Sequence, residues 1–401
     1  MPEPSSSSPS SPSTSSSSSP SATAPDAVST AGTSPRRRAL VVAGVVVLTL
    51  LLIGVLALGV RWWRGPGSDL ERAVSLAPAD TQRWTWTDWA AVRERLGVTG
   101  TDDDAVRRLL DAGFDADLTS ASGLVESAPL LAQSFGWSPA SIDWELLAQS
   151  PDGALEIVGL GDDADAAALG DRLESLGYTR PDSPEGVWEG GEEVLARLNA
   201  ASGTAGTPTL QFVALDEERS LLLASDQRAY LERGLEEAAD EHEPSAAGVT
   251  DVLVTLPAQP LSAVLLTGDQ ACGALSMGGA GDSDQAAADE LLAQAGPVNP
   301  LTGFVLALLP PEEDGDGGSQ APLDLRVGLG FESEEQARTN ADTRAALAAG
   351  PAPGQGGAFS DRFTVDEVTA DATTVTLDLA PVAGTFPLSD LSDGPLLFAT
   401  C

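Results

Sequence analysis

The sequence contains no lysine, and all 21 of its strongly basic side chains are arginine. This absence excludes chemistry that needs a lysine amine, such as a Walker-type phosphate loop, a Schiff base or a Ser-x-x-Lys nucleophile. Histidine is nearly absent too. The only one, His242, lies between two glutamates in the polar segment ADEHEPS. We therefore expect an exposed loop histidine there rather than a metal ligand.

Cysteine is scarce, with Cys272 and Cys401 alone, which is too few for a closed zinc site or a disulfide scaffold. Two cysteines suffice for one bridge. Cys272 follows the run AVLLTGDQA, and Cys401 follows the strand-like run PLLFAT. A bond between them would close a long loop and stabilise the fold by up to about 5 kcal/mol. We predict this disulfide.

Acidic side chains dominate the charge, with 60 Asp and Glu and a net charge of −39. Residues 69–401 hold 58 of these acids and 16 arginines, which gives a net charge of −42. Such a surface repels nucleic acids, because their recognition needs cationic contacts. We expect no nucleic-acid partner and no cofactor.

Residues 39–60, ALVVAGVVVLTLLLIGVLALGV, form a long run without a charged side chain. As a helix this run would span roughly 33 Å, enough to cross a hydrocarbon core of about 30 Å. It is longer than the apolar region of a secretory signal, and no small-residue cleavage site follows it. The pattern predicts a transmembrane helix over residues 39–61, with the lipid bilayer as its partner.

Charged and aromatic side chains flank this run at both ends, where a membrane interface would lie. They are Arg36, Arg37, Arg38, Arg61, Trp62, Trp63 and Arg64. The Ser/Pro-rich tail before the run is more easily kept in the cytoplasm than moved across the membrane. We therefore predict a single-pass protein of the cell membrane, with a cytoplasmic N-terminus and an extracytoplasmic C-terminal domain.

The remaining composition divides the chain into further segments. Residues 1–38 are rich in Ser and Pro and are predicted to be disordered, while residues 62–70 form a juxtamembrane tether. Helical and strand patterns mix after residue 70, which predicts an α+β domain of antiparallel sheet with packed helices. The sequence VGLG occurs at residues 158–161 and again at 327–330. This repeat favours two similar halves, 71–245 and 246–401, although four-residue matches arise easily by chance.

Two short segments resemble catalytic or metal motifs, and each departs from the pattern. ALSMG (274–278) resembles a nucleophile elbow around Ser276, but that fold places its histidine after the serine. The acidic stretch 311–324 lacks the glycine and glutamate that an EF-hand loop needs. Pairs of carboxylates are abundant, but sequence alone does not set their separation. We assign no catalytic, cofactor or metal residue.

Trp84, Trp86 and Trp89 lie in the stretch RWTWTDWAAVRERLG (83–97). The first two alternate with threonines, as on one face of a strand. Asp88 is placed to begin a helix that carries Trp89 and ends at Gly97. We interpret the cluster as core packing rather than as a ligand surface.

The segments LAPADTQRWTWTDWAAVRERLG (76–97) and PLLFATC (395–401) resemble uncharacterised single-pass membrane-anchored proteins of GC-rich Gram-positive bacteria. The resemblance implies that the chain is anchored in a membrane, and it implies no known activity.

The first functional hypothesis is a non-enzymatic binding or envelope-assembly role with an envelope protein partner. The alternative is an extracytoplasmic hydrolase that uses carboxylates, with or without a cation. A third hypothesis is a sensor that relays a signal to the Ser-rich tail. A cleft with converging carboxyl groups of raised pKa would favour the hydrolase.

Overall fold

The computed structural model describes residues 68–161, 165–239, 247–311 and 323–401. The strands are β1 (Arg83–Thr87), β2 (Ile142–Ser150), β3 (Gly153–Leu160), β4 (Trp188–Glu189), β5 (Phe212–Asp216), β6 (Leu221–Ser225), β7 (Ser262–Thr267), β8 (Gly303–Leu309), β9 (Asp324–Gly330), β10 (Phe363–Asp371) and β11 (Thr374–Pro381). The α-helices are α1 (Asp69–Leu76), α2 (Trp89–Leu96), α3 (Asp103–Asp115), α4 (Ala128–Leu130), α5 (Ala166–Leu176), α6 (Gly191–Ser202), α7 (Arg228–Ala239), α8 (Ala247–Leu253), α9 (Gly268–Ala274), α10 (Asp282–Ala295), α11 (Glu334–Ala348) and α12 (Pro387–Leu391).

The strands of the described residues form one sheet in the order β10-β11-β9-β8-β7-β1-β2-β3-β6-β5-β4. Every neighbouring pair is antiparallel. Helices occupy the connections between the strands and pack on the sheet. The predicted α+β class with an antiparallel sheet is therefore confirmed.

The sheet has two parts with the same strand order, joined by the β1–β7 pair. One part is β1-β2-β3-β6-β5 and the other is β7-β8-β9-β11-β10. The strand register also agrees. Val158 of β3 pairs with Glu145 of β2. Val327 of β9 pairs with Leu306 of β8. The two VGLG sequences therefore lie at equivalent places, around the ends of β3 and β9.

The glycines within these VGLG sequences are explained by close neighbours. A Cβ atom on Gly159 would lie 2.2 Å from Cε2 of the Trp144 indole, which crosses the strand at this point. A Cβ atom on Gly328 would lie 2.6 Å from Oγ1 of Thr255. A glycine inside a strand often marks such a close approach. The repeated sequence therefore has a packing reason in both halves.

Helices cover both faces of the sheet, so the central strands are buried on both sides. We call the side that carries Trp84 and Trp86 face 1, and the side that carries Thr85 and Thr87 face 2. Apolar side chains of α1, α7 and α8 pack on face 1. Those of α2, α3, α5, α11 and α12 are among the ones that pack on face 2. This arrangement explains the almost continuous apolar sequences of β7 and β8.

The tryptophan cluster of residues 84–89 belongs to the core. Trp84 is 3% exposed, and Trp86 and Trp89 are fully buried. The Asp88 side chain accepts a hydrogen bond from the backbone N–H of Ala91 at the start of α2. The helix ends at Gly97, whose φ of +64° suits glycine. The interpretation of the cluster as core packing is confirmed.

The transmembrane part of the predicted fold is corrected by the structure. Within the described residues, no helix is both long and apolar enough to cross a membrane. The longest helix there, α11, has 15 residues and would span only about 22 Å. The predicted segment, residues 39–61, lies outside the described residues, as do the tail 1–38 and the flanking residues 61–64. The single-pass architecture and the cell-membrane location are therefore withdrawn.

Two smaller predictions of local structure also change. The run PLLFAT is not a strand, because it forms a short 3-10 turn, Leu397–Ala399, beneath α11. The sequence DDADAAALGDRLESLG (162–177) also predicts a helix with acidic residues in its first turn, whereas α5 begins at Ala166, with Asp165 accepting a hydrogen bond from the N–H of Ala168. Its first turn therefore contains no acidic residue.

Candidate functional site

A polar cleft opens on face 2 where the two halves of the sheet meet, with a volume of about 580 Å³. The first half contributes side chains from β1, from β2 and from the loop before α4. The second half contributes one side chain of α9 and one from the segment after α12. The lining residues include Gln82, Arg83, Thr85, Ser122, Gly123, Leu147, Gln149, Gln270 and Asp393.

Several polar side chains of this cleft have no partner within the described part of the protein. Arg83 makes no hydrogen bond or ion pair there, and the same holds for the amide groups of Gln82, Gln149 and Gln270. The Thr85 hydroxyl is buried and also lacks a partner. Buried polar groups are normally hydrogen-bonded, so an unpaired one needs an explanation. Of this set only Thr85 is buried, and the others are half-exposed, so their polar groups are accessible to a ligand as well as to solvent.

Asp393 brings a negative charge to the same cleft. Its carboxylate accepts a hydrogen bond from the N–H of the next residue, Gly394, at 2.8 Å. It makes no ion pair with any arginine of the described residues, Arg83 included. The cleft therefore holds two opposite charges that do not neutralise each other.

A buried carboxyl, Glu145, lies behind the wall of the cleft. The indole Nε1 of Trp89 donates a hydrogen bond to its Oε2 at 2.7 Å, and the backbone N–H of Gly123 donates to its Oε1 at 2.8 Å. These bonds fix helix α2 and the cleft loop to strand β2. Glu145 therefore holds the cleft wall in place.

A second buried carboxyl, Glu156, lies beside it on β3. Neither of its oxygens has a hydrogen-bond partner among the described residues, and the side chain is 1% exposed. Its register partner is Leu147, which lines the cleft. A Cβ atom on Gly123 would lie 3.0 Å from its Oε2. The carboxyl therefore lies close to Gly123, which lines the cleft.

Burial shifts the titration of both carboxyls in the same direction. It raises the pKa of Glu145 to about 7, although the hydrogen bond from Trp89 acts against this shift. Burial and then the charge of Glu145 raise the pKa of Glu156 well above its usual range. Two such groups titrate as a pair. Because only Glu145 has donors for a negative charge, ionisation of the pair favours Glu145 over Glu156.

The other half of the sheet has leucine at both equivalent positions. Glu145 corresponds to Leu306, since each pairs with the valine of a VGLG sequence. Glu156 corresponds to Leu325, two residues before that valine, and both leucines are fully buried. The same backbone arrangement therefore accepts apolar side chains here. The fold itself does not require the two carboxyls, and buried ionisable groups of this kind cluster at functional sites.

The predicted cysteines are joined in the structure by a Cys272–Cys401 disulfide, with 5.3 Å between their Cα atoms. The bond ties the chain end to α9. Arg344 reinforces it, because its buried guanidinium donates hydrogen bonds to the carbonyls of Phe398 and Thr400. Burial lowers the pKa of Arg344 to about 10. These features stabilise the fold and do not line the cleft.

The other residues singled out from sequence do not gather at the cleft. Ser276 accepts a hydrogen bond from the N–H of Gly278 and begins a short turn. His242 and most of the acidic stretch 311–324 lie outside the described residues. The membrane-interface residues 36–38 and 61–64 lie outside them as well. The described part contains no cluster of three or more His, Cys, Asp or Glu suited to a metal ion.

The cleft and its two carboxyls were missed by sequence reasoning, although one signal was present. Glu156 stands between Leu155 and Ile157 in a strand whose other positions are nearly all apolar. A charge at an intended core position is a departure that often marks a functional site. Arg83 and Asp393 offered no such signal, because only the folded chain brings them together.

Comparison with known proteins gives no family for this chain. No family model matches the sequence, and no curated protein matches it. A solved structure titled "Structure of crystal form I of TP0453" is similar over 80% of this chain and 96% of its own length. Its sequence identity is 8% and its TM-score 0.36. A likeness of this size supports no conclusion about fold or function.

Proposed function

We propose that this chain is a ligand-binding protein whose site is the polar cleft between its two halves. The observation that carries the proposal is the set of polar side chains without protein partners that converge there. Ligand sites combine a concave shape with a few converging polar groups. A ligand would supply the partners that these groups lack, and binding alone requires no catalytic residue.

The charge of Arg83 limits the kind of molecule that fits. Residues 69–401 have a net charge of −42, yet this arginine faces the cleft without an acidic partner among the described residues. A guanidinium suits a carboxylate or a phosphate, which it can bind through two parallel hydrogen bonds. We therefore expect a small polar ligand with an anionic group. The acidic surface argues against nucleic acid.

A binding experiment with a matched pair of variants tests this proposal. Citrate, glucose and trialanine are titrated into the isotope-labelled protein, and the backbone amide signals of Arg83 and Gly123 are followed by NMR. We expect at least one probe to shift these signals. Gln270→Trp should abolish the shift by filling the cleft, whereas Gln294→Trp on an exposed position of α10 should not. The proposal fails if none of the three probes shifts the cleft signals.

A second function, a carboxylate-based hydrolase, is favoured by the buried pair Glu145 and Glu156. A pair of carboxyls with displaced pKa values can supply an acid and a base. Both side chains are buried behind the cleft wall, which places this function second. Hydrolysis of p-nitrophenyl glycosides and p-nitrophenyl acetate would test it. Turnover that Glu145→Gln and Glu156→Gln both abolish would support it, and an equal background rate in all three proteins would exclude it for these substrates.

A further inference from the structure

We propose that the ligand of the cleft is a short peptide or free amino acid with both termini charged. This inference rests on the proposed function, since it names the ligand class of the same site. It begins from two opposite charges that line one cleft. Arg83 opens β1 in the first half, and Asp393 follows α12 in the second half. A zwitterion offers each of them a counter-charge.

The two charges of the central cleft are unlike those of a second cleft on the surface of the sheet. That cleft, of about 350 Å³, lies over the polar sides of β9, β10 and β11. There Arg326 donates to the Asp378 carboxylate at 2.6 Å and to the carbonyl of Thr255 at 2.7 Å. The arginine of that cleft is therefore paired within the protein. In the central cleft Arg83 and Asp393 form no such pair, so both remain available to a ligand.

Three amide side chains accompany these charges and match the chemistry of a peptide group. Gln82, Gln149 and Gln270 line the cleft, and their amides have no partner among the described residues. Each amide offers donors and an acceptor. A peptide bond presents one donor and one acceptor in return. The lining therefore suits the interior of a short peptide as well as its ends.

Other small polar ligands fit this set of groups less well. A neutral sugar would leave both Arg83 and Asp393 without a counter-charge. A phosphate compound would place several negative charges beside Asp393 in a protein that is already strongly acidic. The volume of about 580 Å³ lies within the range of roughly 300–1,000 Å³ found for small-molecule sites. A peptide of a few residues satisfies charge, hydrogen bonding and size together.

Calorimetric titration with trialanine and its two capped forms tests the inference. The C-terminal amide removes the negative charge, and the N-acetyl form removes the positive one. We expect each capped form to bind about tenfold more weakly than trialanine, as loss of one charged hydrogen bond implies. Arg83→Gln should remove the preference for trialanine over the amide. Asp393→Asn should remove the preference for trialanine over the N-acetyl form.

Two exposed residues provide matched controls, Arg108 on α3 and Asp289 on α10. Arg108→Gln and Asp289→Asn should leave all three affinities unchanged. If the three peptides bind equally well, the inference is wrong while the proposed ligand site stands. It is also wrong if citrate or glucose occupies the cleft and trialanine does not. If no probe occupies the cleft, the proposed function fails and this inference fails with it.

Discussion

Replacing Glu156 by leucine should stabilise the protein, and the gain should depend on pH. The equivalent residue of the other half, Leu325, shows that leucine fits this place in the fold. In the wild type, burial and the charge of Glu145 raise the pKa of Glu156 well above 4.5. The folded state thus holds this proton more tightly than the unfolded chain does. The contribution of Glu156 to wild-type stability therefore falls as the pH rises above about 4.5.

The size of this pH dependence follows from the proton that the Glu156 carboxyl retains in the folded state. An unfolded glutamate titrates at about 4.5, and each further pH unit costs about 1.36 kcal/mol for a group that stays protonated when folded. From there to pH 7 the loss of unfolding free energy is at most about 3.4 kcal/mol, the value for a group that stays protonated over the whole interval. The substitution Glu156→Leu removes this loss of unfolding free energy. We expect the advantage of the variant over the wild type to be larger at pH 7 than at pH 4.5, by up to about 3 kcal/mol.

Urea denaturation at about pH 4.5 and about pH 7 measures this difference directly. The exposed Glu126 supplies the control, because Glu126→Leu should change the free energy of unfolding by a similar small amount at both values. A stability difference between wild type and Glu156→Leu that is the same at both values would refute the argument. So would a variant that is less stable than the wild type at pH 7, because the carboxyl would then be needed by the fold.

Three further predictions concern the packing of the fold. The double substitution Cys272→Ala and Cys401→Ala should lower the free energy of unfolding by about 2–5 kcal/mol, and non-reducing mass spectrometry that found two free thiols in the wild type would refute the bond. Arg344→Met should cost about 3–5 kcal/mol in urea denaturation, because it leaves buried carbonyls unpaired; a loss below about 1 kcal/mol would contradict this. Gly159→Ala should lower the stability by about 1–3 kcal/mol through a clash with a tryptophan ring. Gly273→Ala, where a Cβ atom would meet nothing within 4 Å, serves as its control and should be neutral or stabilising.

Local patterns in the sequence were sufficient for many elements of the fold. The hairpin of β5 and β6, the strand around VGLG at residues 158–161 and the helix that begins after Asp88 all follow from short-range periodicity and capping. The pairing of Cys272 with Cys401 required only that two cysteines exist and that both lie near strand-like runs. These features depend on neighbours in the chain, which a sequence displays.

The features that were missed depend on contacts between distant parts of the chain. PLLFAT has the composition of a strand, but burial against α11 and hydrogen bonds from Arg344 give it another conformation. The cleft arises only when β1 and β2 meet α9 and the segment after α12. The apolar run 39–60 lies outside the described residues, and no helix of the described part is suited to a membrane. Local periodicity does not determine the conformation of PLLFAT or the formation of the cleft.

A crystal structure of the protein grown with trialanine would test the ligand site most directly. The account predicts the peptide in the cleft between the two halves, with its carboxylate at the Arg83 guanidinium and its ammonium group at Asp393. A cleft that holds only water under saturating peptide, or a peptide bound elsewhere on the surface, would contradict it.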